Sequence, residues 1–226
     1  MDGNRRYGRS RYGPAGSLRG HADGGRNLEA AIRWCAELRG SQCPPVLGEL
    51  SVYAFSSENF ERPRAELDGL WAVFEAQAPG LAEQCGRLDV RCRVLNTCGW
   101  GRFPEGVRRA LEQIQKDTET CSGLTVNVCV GYSGSEDICR AAEAISQTKR
   151  APGSLSPDDF LSYLQLSSPI DLLVRTSGET RLSNFALYNV AYSELLFVDK
   201  PWPEFGKDDF QAAIDAFDDR DRRFGK

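Results

Sequence analysis

Two arginines stand six positions apart in the segment LLVRTSGETRLSN, residues 172–184, just after an apolar run. Arg175 ends the run, Gly178 permits a turn, and Arg181 and Ser183 follow near an expected helix start at about Asn184. A guanidinium is a planar fork that grips phosphate oxygens in pairs. Free N–H groups and the dipole at a helix start favour an anion as well. The segment therefore reads as a diphosphate cradle, against the plainer reading of two surface arginines paired with Glu179.

A second basic cluster opens the chain, MDGNRRY, with Asp2 beside Gly3, Arg5 and Arg6. A carboxylate repels phosphate, so Asp2 belongs beside a diphosphate only with a divalent cation between them. Magnesium suits such oxygen donors. Glu194, at the start of an apolar strand, either needs a cation or serves as a cap or ion-pair glutamate. No GxxxxGK[ST] occurs, and no GxGxxG runs from a strand into a helix, which points away from ATPases and kinases.

The chain has 226 residues, 41% hydrophobic and 27% charged, enough for one globular domain over 1–226. A net charge of −4 argues against a nucleic-acid surface. Only five of the 28 basic residues are lysine, an excess of arginine that suits phosphate but that coding bias also produces. Eight cysteines without a CxxC pair, most of them inside apolar patterns, read as buried thiols. No apolar run reaches 18 residues, so the protein is expected to be cytoplasmic and at most peripheral to a membrane.

The elements that must position these groups alternate strand and helix. Strands are expected at 47–55, 89–95, 124–130, 170–174 and 194–198. Helices are expected around 28–40, 67–81 with a kink or break at Pro79, 104–114, 136–148, after 157, from 184, and at 208–218. The glycine-rich first 26 residues read as a loop. The alternation implies an α/β domain with a largely parallel central sheet flanked by helices, its ligands in loops after the strands.

Four blocks in order, MDGNRRY with GH (20–21), VYAFSSENFERP (52–63), RTSGETRLSNF (175–185) and AYSELLF (191–197), resemble the cis-prenyltransferases, the undecaprenyl and dehydrodolichyl diphosphate synthases. WPEF (202–205) and RRFG (222–225) match too, so the resemblance spans the chain. It implies repeated cis addition of isopentenyl diphosphate to a farnesyl diphosphate-like allylic primer, with Mg2+ as cofactor. Asp2 would hold the metal and Glu194 would share it.

By the same resemblance, Gly3, Asn4, Arg5, Arg6, His21 and Arg62 line the allylic phosphate site, with Tyr7 and Phe60 as its aromatics. Ser56, Ser57, Glu58 and Asn59 form a loop over the reacting carbons, Asn59 aiding proton removal. Arg175, Arg181, Leu182 and Ser183 would hold isopentenyl diphosphate. Arg223 and Gly225 would complete that site in the neighbour of a homodimer. The product would lie in an apolar tunnel with Ala54 as a wall residue. Helical prenyl synthases use DDxxD pairs instead, and DDRDR (218–222) does not fit them.

The resemblance to eukaryotic members in MDGNRRY implies dolichol synthesis near the endoplasmic reticulum. The alternative function is that of a non-catalytic partner subunit. Two departures stand out. GYSGS (131–135) replaces the family's Asn-Tyr-Gly-Gly-Arg, and the chain starts at the first motif, where the family has a preceding strand. Asp2 at a terminus is expected to be loosely anchored.

Overall fold

A computed structural model of the chain describes residues 1–40, 47–151 and 153–220. Helices α1 (Asn4–Tyr12) and α2 (Ser17–Gly40) lead into strand β1 (Glu49–Ser56), then α3 (Arg64–Arg87) and β2 (Val90–Leu95). Next come α4 (Glu105–Asp117), β3 (Leu124–Tyr132), α5 (Gly134–Ser146) and α6 (Pro157–Tyr163). β4 (Leu172–Arg175), β5 (Glu194–Phe197) and α7 (Lys207–Asp218) follow. Every strand pair is parallel, in a three-stranded sheet ordered β1-β3-β2 and a pair β4-β5.

β3 is buried almost throughout, as a strand covered on both faces must be. Side chains alternate across it. The row Val52–Val128–Val94 faces one core, built with Leu28 and Ile32 of α2, Leu70 and Ala78 of α3, and Leu111 and Ile114 of α4. The next row, Tyr53–Cys129–Leu95, faces a smaller core with Tyr132, Leu166, Leu173 and Phe185. The register also brings the carboxyl ends of β1, β2 and β3 together, so the loops after them share one edge of the sheet.

The first 26 residues are not a loop. They form α1 and the first turns of α2, and their glycines are packing residues. A Cβ on Gly20 would lie 2.0 Å from the Asn4 carbonyl oxygen, and one on Gly8 2.3 Å from that of Gly16. The glycines let two backbones touch where any side chain would hold them apart. Pro79 neither ends nor divides α3, which runs on to Arg87. Its neighbours bind the helix on both sides of it: Gln77 Nε2 donates to Ala22 O at 2.8 Å and Gln84 Nε2 to Glu29 O at 2.5 Å. Pro104 stands at the cap of α4, one residue before the position expected.

No helix starts at Asn184. Residues 183–192 are turns and bends, with positive φ at Ser183 (49°), Asn184 (62°) and Ala186 (47°). The helix-like apolar spacing arises because Phe185 and Ala186 are buried from within these turns. Asn189 locks them from below by donating to Leu166 O at 2.6 Å and Ser168 O at 2.8 Å. Among the seven free cysteines described, Cys35, Cys85, Cys92 and Cys129 are buried, Cys98 and Cys121 are half-buried, and Cys139 is exposed. Cys43 lies outside the described residues. No described helix is long and apolar enough to cross a membrane.

Candidate active site

Asp2 is firmly anchored, contrary to expectation. Its N–H donates to Thr176 Oγ1 at 3.1 Å, and its carbonyl accepts from that hydroxyl at 3.0 Å and from Trp202 N–H at 2.9 Å. Its carboxylate accepts the Gly3 N–H on Oδ1 at 2.8 Å and Arg175 Nη2 on Oδ2 at 3.0 Å. Burial pushes this carboxyl up. The Arg175 and Gly3 hydrogen bonds, with the charges of Arg175 and the amino terminus, outweigh that and hold it below its usual value. Gly3 permits the approach, with φ 92° and a Cβ position 2.5 Å from Ser177 Oγ.

After β4 the structure gathers Arg175, Arg181 and Ser183 by side-chain contacts rather than at a helix end. Arg175 Nη1 donates to Arg181 O and, at 2.9 Å, to Ser183 Oγ. Glu179 lies between two guanidinium groups, at 2.5 Å from Arg181 and 3.2 Å from Arg6. Arg6 also donates to Ser177 O at 2.7 Å, so the structure places it beside the Arg175–Arg181 cradle.

Arg5 and Arg62 make a separate group, both paired with Glu66, at 3.4 and 3.3 Å. His21 senses both charges. Its pKa is pushed down to about 4, first by burial and then by Arg62 and Arg5, so the ring is neutral at physiological pH. His21 Nε2 and Asn4 Oδ1 are buried without a hydrogen-bond partner. Both residues line an apolar cavity that is partly open to solvent. Leu28, Ala54, Leu70, Phe74 and Val128 are among its walls.

In the loop after β1, Ser56 and Asn59 form a capping box, Asn59 Oδ1 accepting the Ser56 N–H at 3.3 Å. Ser57 and Glu58 stand on the same turn, and Glu58 accepts from Asn184 Nδ2 at 2.9 Å. Phe60 is not brought to the site. It is buried among Phe55, Trp71 and Phe103 at 4.9–5.9 Å, with Arg102 over its ring at 4.3 Å. Tyr7 turns its ring toward Tyr12 at 6.3 Å, and Leu182 packs on the smaller core.

Glu194 is not brought to Asp2 either. The register pairs it with Leu172, three residues from the Arg175 end, which is about 10 Å along a strand. Its carboxylate meets Arg220 instead. Among the described residues no three His, Cys, Asp or Glu side chains converge as a metal site. Arg223 and Gly225 lie outside the described residues. Sequence reasoning missed Glu66, Thr176 and Trp202, and WPEF was the signal for the last.

The family model for undecaprenyl diphosphate synthases matches residues 1–225. The tritrans,polycis-undecaprenyl-diphosphate synthase (geranylgeranyl-diphosphate specific) of Thermococcus kodakarensis is 38% identical over 100% of this chain and 84% of its own length. The isoprenyl transferase of Aquifex aeolicus is 36% identical over 100% and 93%. Lavandulyl diphosphate synthase from Lavandula x intermedia, solved with dimethylallyl diphosphate, superposes with a TM-score of 0.89 at 27% identity, over 100% and 95% of the two chains. With these likenesses and the arginine–aspartate geometry above, the chain belongs to the cis-prenyltransferase family, transferases of the prenyl diphosphate synthase type.

Proposed function

We propose that this protein adds isopentenyl diphosphate units in cis to an allylic diphosphate and so makes a polycis-polyprenyl diphosphate. The observation that carries this reading is Arg175, whose one guanidinium reaches both the Asp2 carboxylate at 3.0 Å and the Ser183 hydroxyl at 2.9 Å. Two diphosphates gripped on either side of it would lie side by side, and such alignment is what a bond between two substrates needs. The dimethylallyl diphosphate in the superposing plant synthase supports an allylic substrate. Undecaprenyl in the name of the archaeal relative favours a carrier lipid of that kind over dolichol.

In this reading Arg5, Arg62, neutral His21 and Asn4 face the allylic diphosphate, and the cavity takes its apolar tail. As the allylic C–O bond breaks, negative charge builds on the departing diphosphate. Fixed guanidinium groups then stabilise the transition state more than the ground state. Arg175, Arg181 and Ser183 hold isopentenyl diphosphate, whose terminal carbon bonds to the allylic carbon as the allylic diphosphate leaves. The carbon next to the resulting cationic centre then loses its proton to the released diphosphate. Asn59 is an amide and no base, and its carbonyl already caps its own turn. Its part is to hold the loop over these carbons.

A magnesium ion fits Asp2. The carboxylate side chain is 43% exposed, and each oxygen has one protein partner and a lone pair to spare. One carboxylate with diphosphate and water oxygens is an ordinary magnesium set. When bound there, the ion neutralises charge on the diphosphate. Asp2→Ala should therefore lower turnover by at least the roughly 10²-fold seen for one preorganised charge-stabilising group, and a chelator should stop the wild type. Near-normal turnover of Asp2→Ala would remove the metal from this residue.

We also propose a symmetric homodimer. Leu195 and Phe197 of β5 are 39% and 36% exposed, an apolar strand face that a second copy would cover. Sedimentation should give twice the chain mass. A monomer at assay concentration that retains full turnover would refute the dimer.

A further inference from the structure

The junction of β3 and α5, residues 131–135, converges on one side chain from another part of the chain, Asn184. Asn184 Nδ2 donates to Glu58 Oε1 at 2.9 Å and to Ser133 Oγ at 2.8 Å. Its Oδ1 accepts from the Ser135 N–H at 3.0 Å and the Ser135 hydroxyl at 2.8 Å. Its main-chain oxygen accepts the Gly134 N–H at 2.7 Å. The amide thus fills both donor and both acceptor places. Its orientation is fixed, because a carboxylate only accepts and a main-chain N–H only donates.

The partners are themselves held. Ser133 is 3% exposed, and its N–H donates to Thr97 Oγ1 at 2.8 Å, which in turn donates to Glu136 at 2.9 Å. On the other side, Asn184 follows Ser183, the hydroxyl that Arg175 grips, and both residues have positive φ. Such backbone persists in residues other than glycine when surrounding bonds impose it. Burial raises the Glu58 carboxyl, and hydrogen bonds led by that of Asn184 bring it below its usual value.

We propose that Asn184 is a positioning residue that fixes the Ser56–Asn59 loop to the Arg175–Ser183 cradle, with Ser133 and Ser135 as the brackets that hold it. The role rests on the functional reading above, since it sets how isopentenyl diphosphate meets the loop over the reacting carbons.

The test uses the full chain as wild type, Asn184→Ala, Asn184→Asp and Ser135→Ala. Hydrogen exchange reads the link without turnover. In Asn184→Ala, residues 56–61 and 183–186 should both exchange faster while the rest of the sheet does not change. Unchanged exchange in either segment overturns the proposal, and so does a general loosening of the fold. Inactivity of the wild type would defeat the functional reading and leave the exchange result to decide the link.

With labelled isopentenyl diphosphate, Asn184→Ala should lower kcat and raise the KM for isopentenyl diphosphate, each about tenfold, as loss of a charge-assisted hydrogen bond implies. The primer KM should stay within about twofold, and Ser135→Ala should show a weaker effect of the same kind. Asn184→Asp sets a carboxylate against Glu58, which raises the pKa of the pair. Its activity relative to wild type should therefore recover as pH falls toward about 5, where a protonated Asp regains its donor. Asn184→Ala should show no such recovery. A kcat loss with both KM values unchanged, or parallel pH profiles for Asp and Ala, would reduce Asn184 to a structural role.

Discussion

Arg175 is the residue on which the site turns, because it is spent on two partners that the chain places 173 positions apart and eight apart. Arg181 has no such double duty. Its guanidinium is 62% exposed, and its carboxylate partner is Glu179. Exposed ion pairs contribute little to stability, so Arg181→Ala should fold normally. It should raise the KM for isopentenyl diphosphate about tenfold or more, the loss of a charged hydrogen bond of roughly 1.5–3 kcal/mol, with little change for the primer. Steady-state kinetics with each substrate varied in turn decides this, and equal effects on both would merge the two diphosphate sites. Arg6 bears on the same question, since it belongs by geometry to the Glu179 side.

At the scale of elements, the crossing of α1 and α2 sets the positions of Asp2, Asn4 and His21. That crossing depends on missing side chains. Gly20→Ala would drive a methyl into Asn4 O at 2.0 Å and Gly8 Cα at 2.8 Å. Such overpacking costs about 1–3 kcal/mol, or several degrees of Tm in a chain of this size. Gly86, near the end of α3, has open space around it, so Gly86→Ala should be neutral or stabilise by up to about 1 kcal/mol. Thermal melts of the two variants should move in different directions, and equal Tm values would mean that the close crossing is not a constraint.

The same crossing shows what the sequence could and could not convey. Strand β3 was legible because the short run from Leu124 to Val130 is rich in β-branched residues. Asp2, the SSEN turn and the Arg175–Ser183 cradle were legible as motifs. Glycines that let helices touch look like glycines that loosen loops, so α1 was not legible. The apolar spacing after Asn184 imitated a helix because burial, and not helical period, selected those residues. Glu194 looked like a second metal residue because only the register of β4 with β5 shows how far it lies from Asp2.

For the molecule as a whole, the two cores on opposite faces of β3 have different duties. The smaller one seats the cradle through Leu182 and Phe185. The larger contains the apolar cavity lined by His21, Asn4, Leu111 and Ile114. If the growing chain fills it, a larger wall residue should stop growth early. Ala54→Leu should shift products to fewer isoprene units while the first condensation continues, as chromatography of dephosphorylated products would show. An unchanged product distribution would place the growing chain elsewhere.

The central claim, cis condensation at this site, is most directly tested with purified chain, magnesium, labelled isopentenyl diphosphate and farnesyl or geranylgeranyl diphosphate as primer. The product's new double bonds are then read by NMR. Label should appear in a linear polyprenyl diphosphate longer than the primer, with every added unit cis. No incorporation with either primer, or added units that are trans or branched, would contradict it.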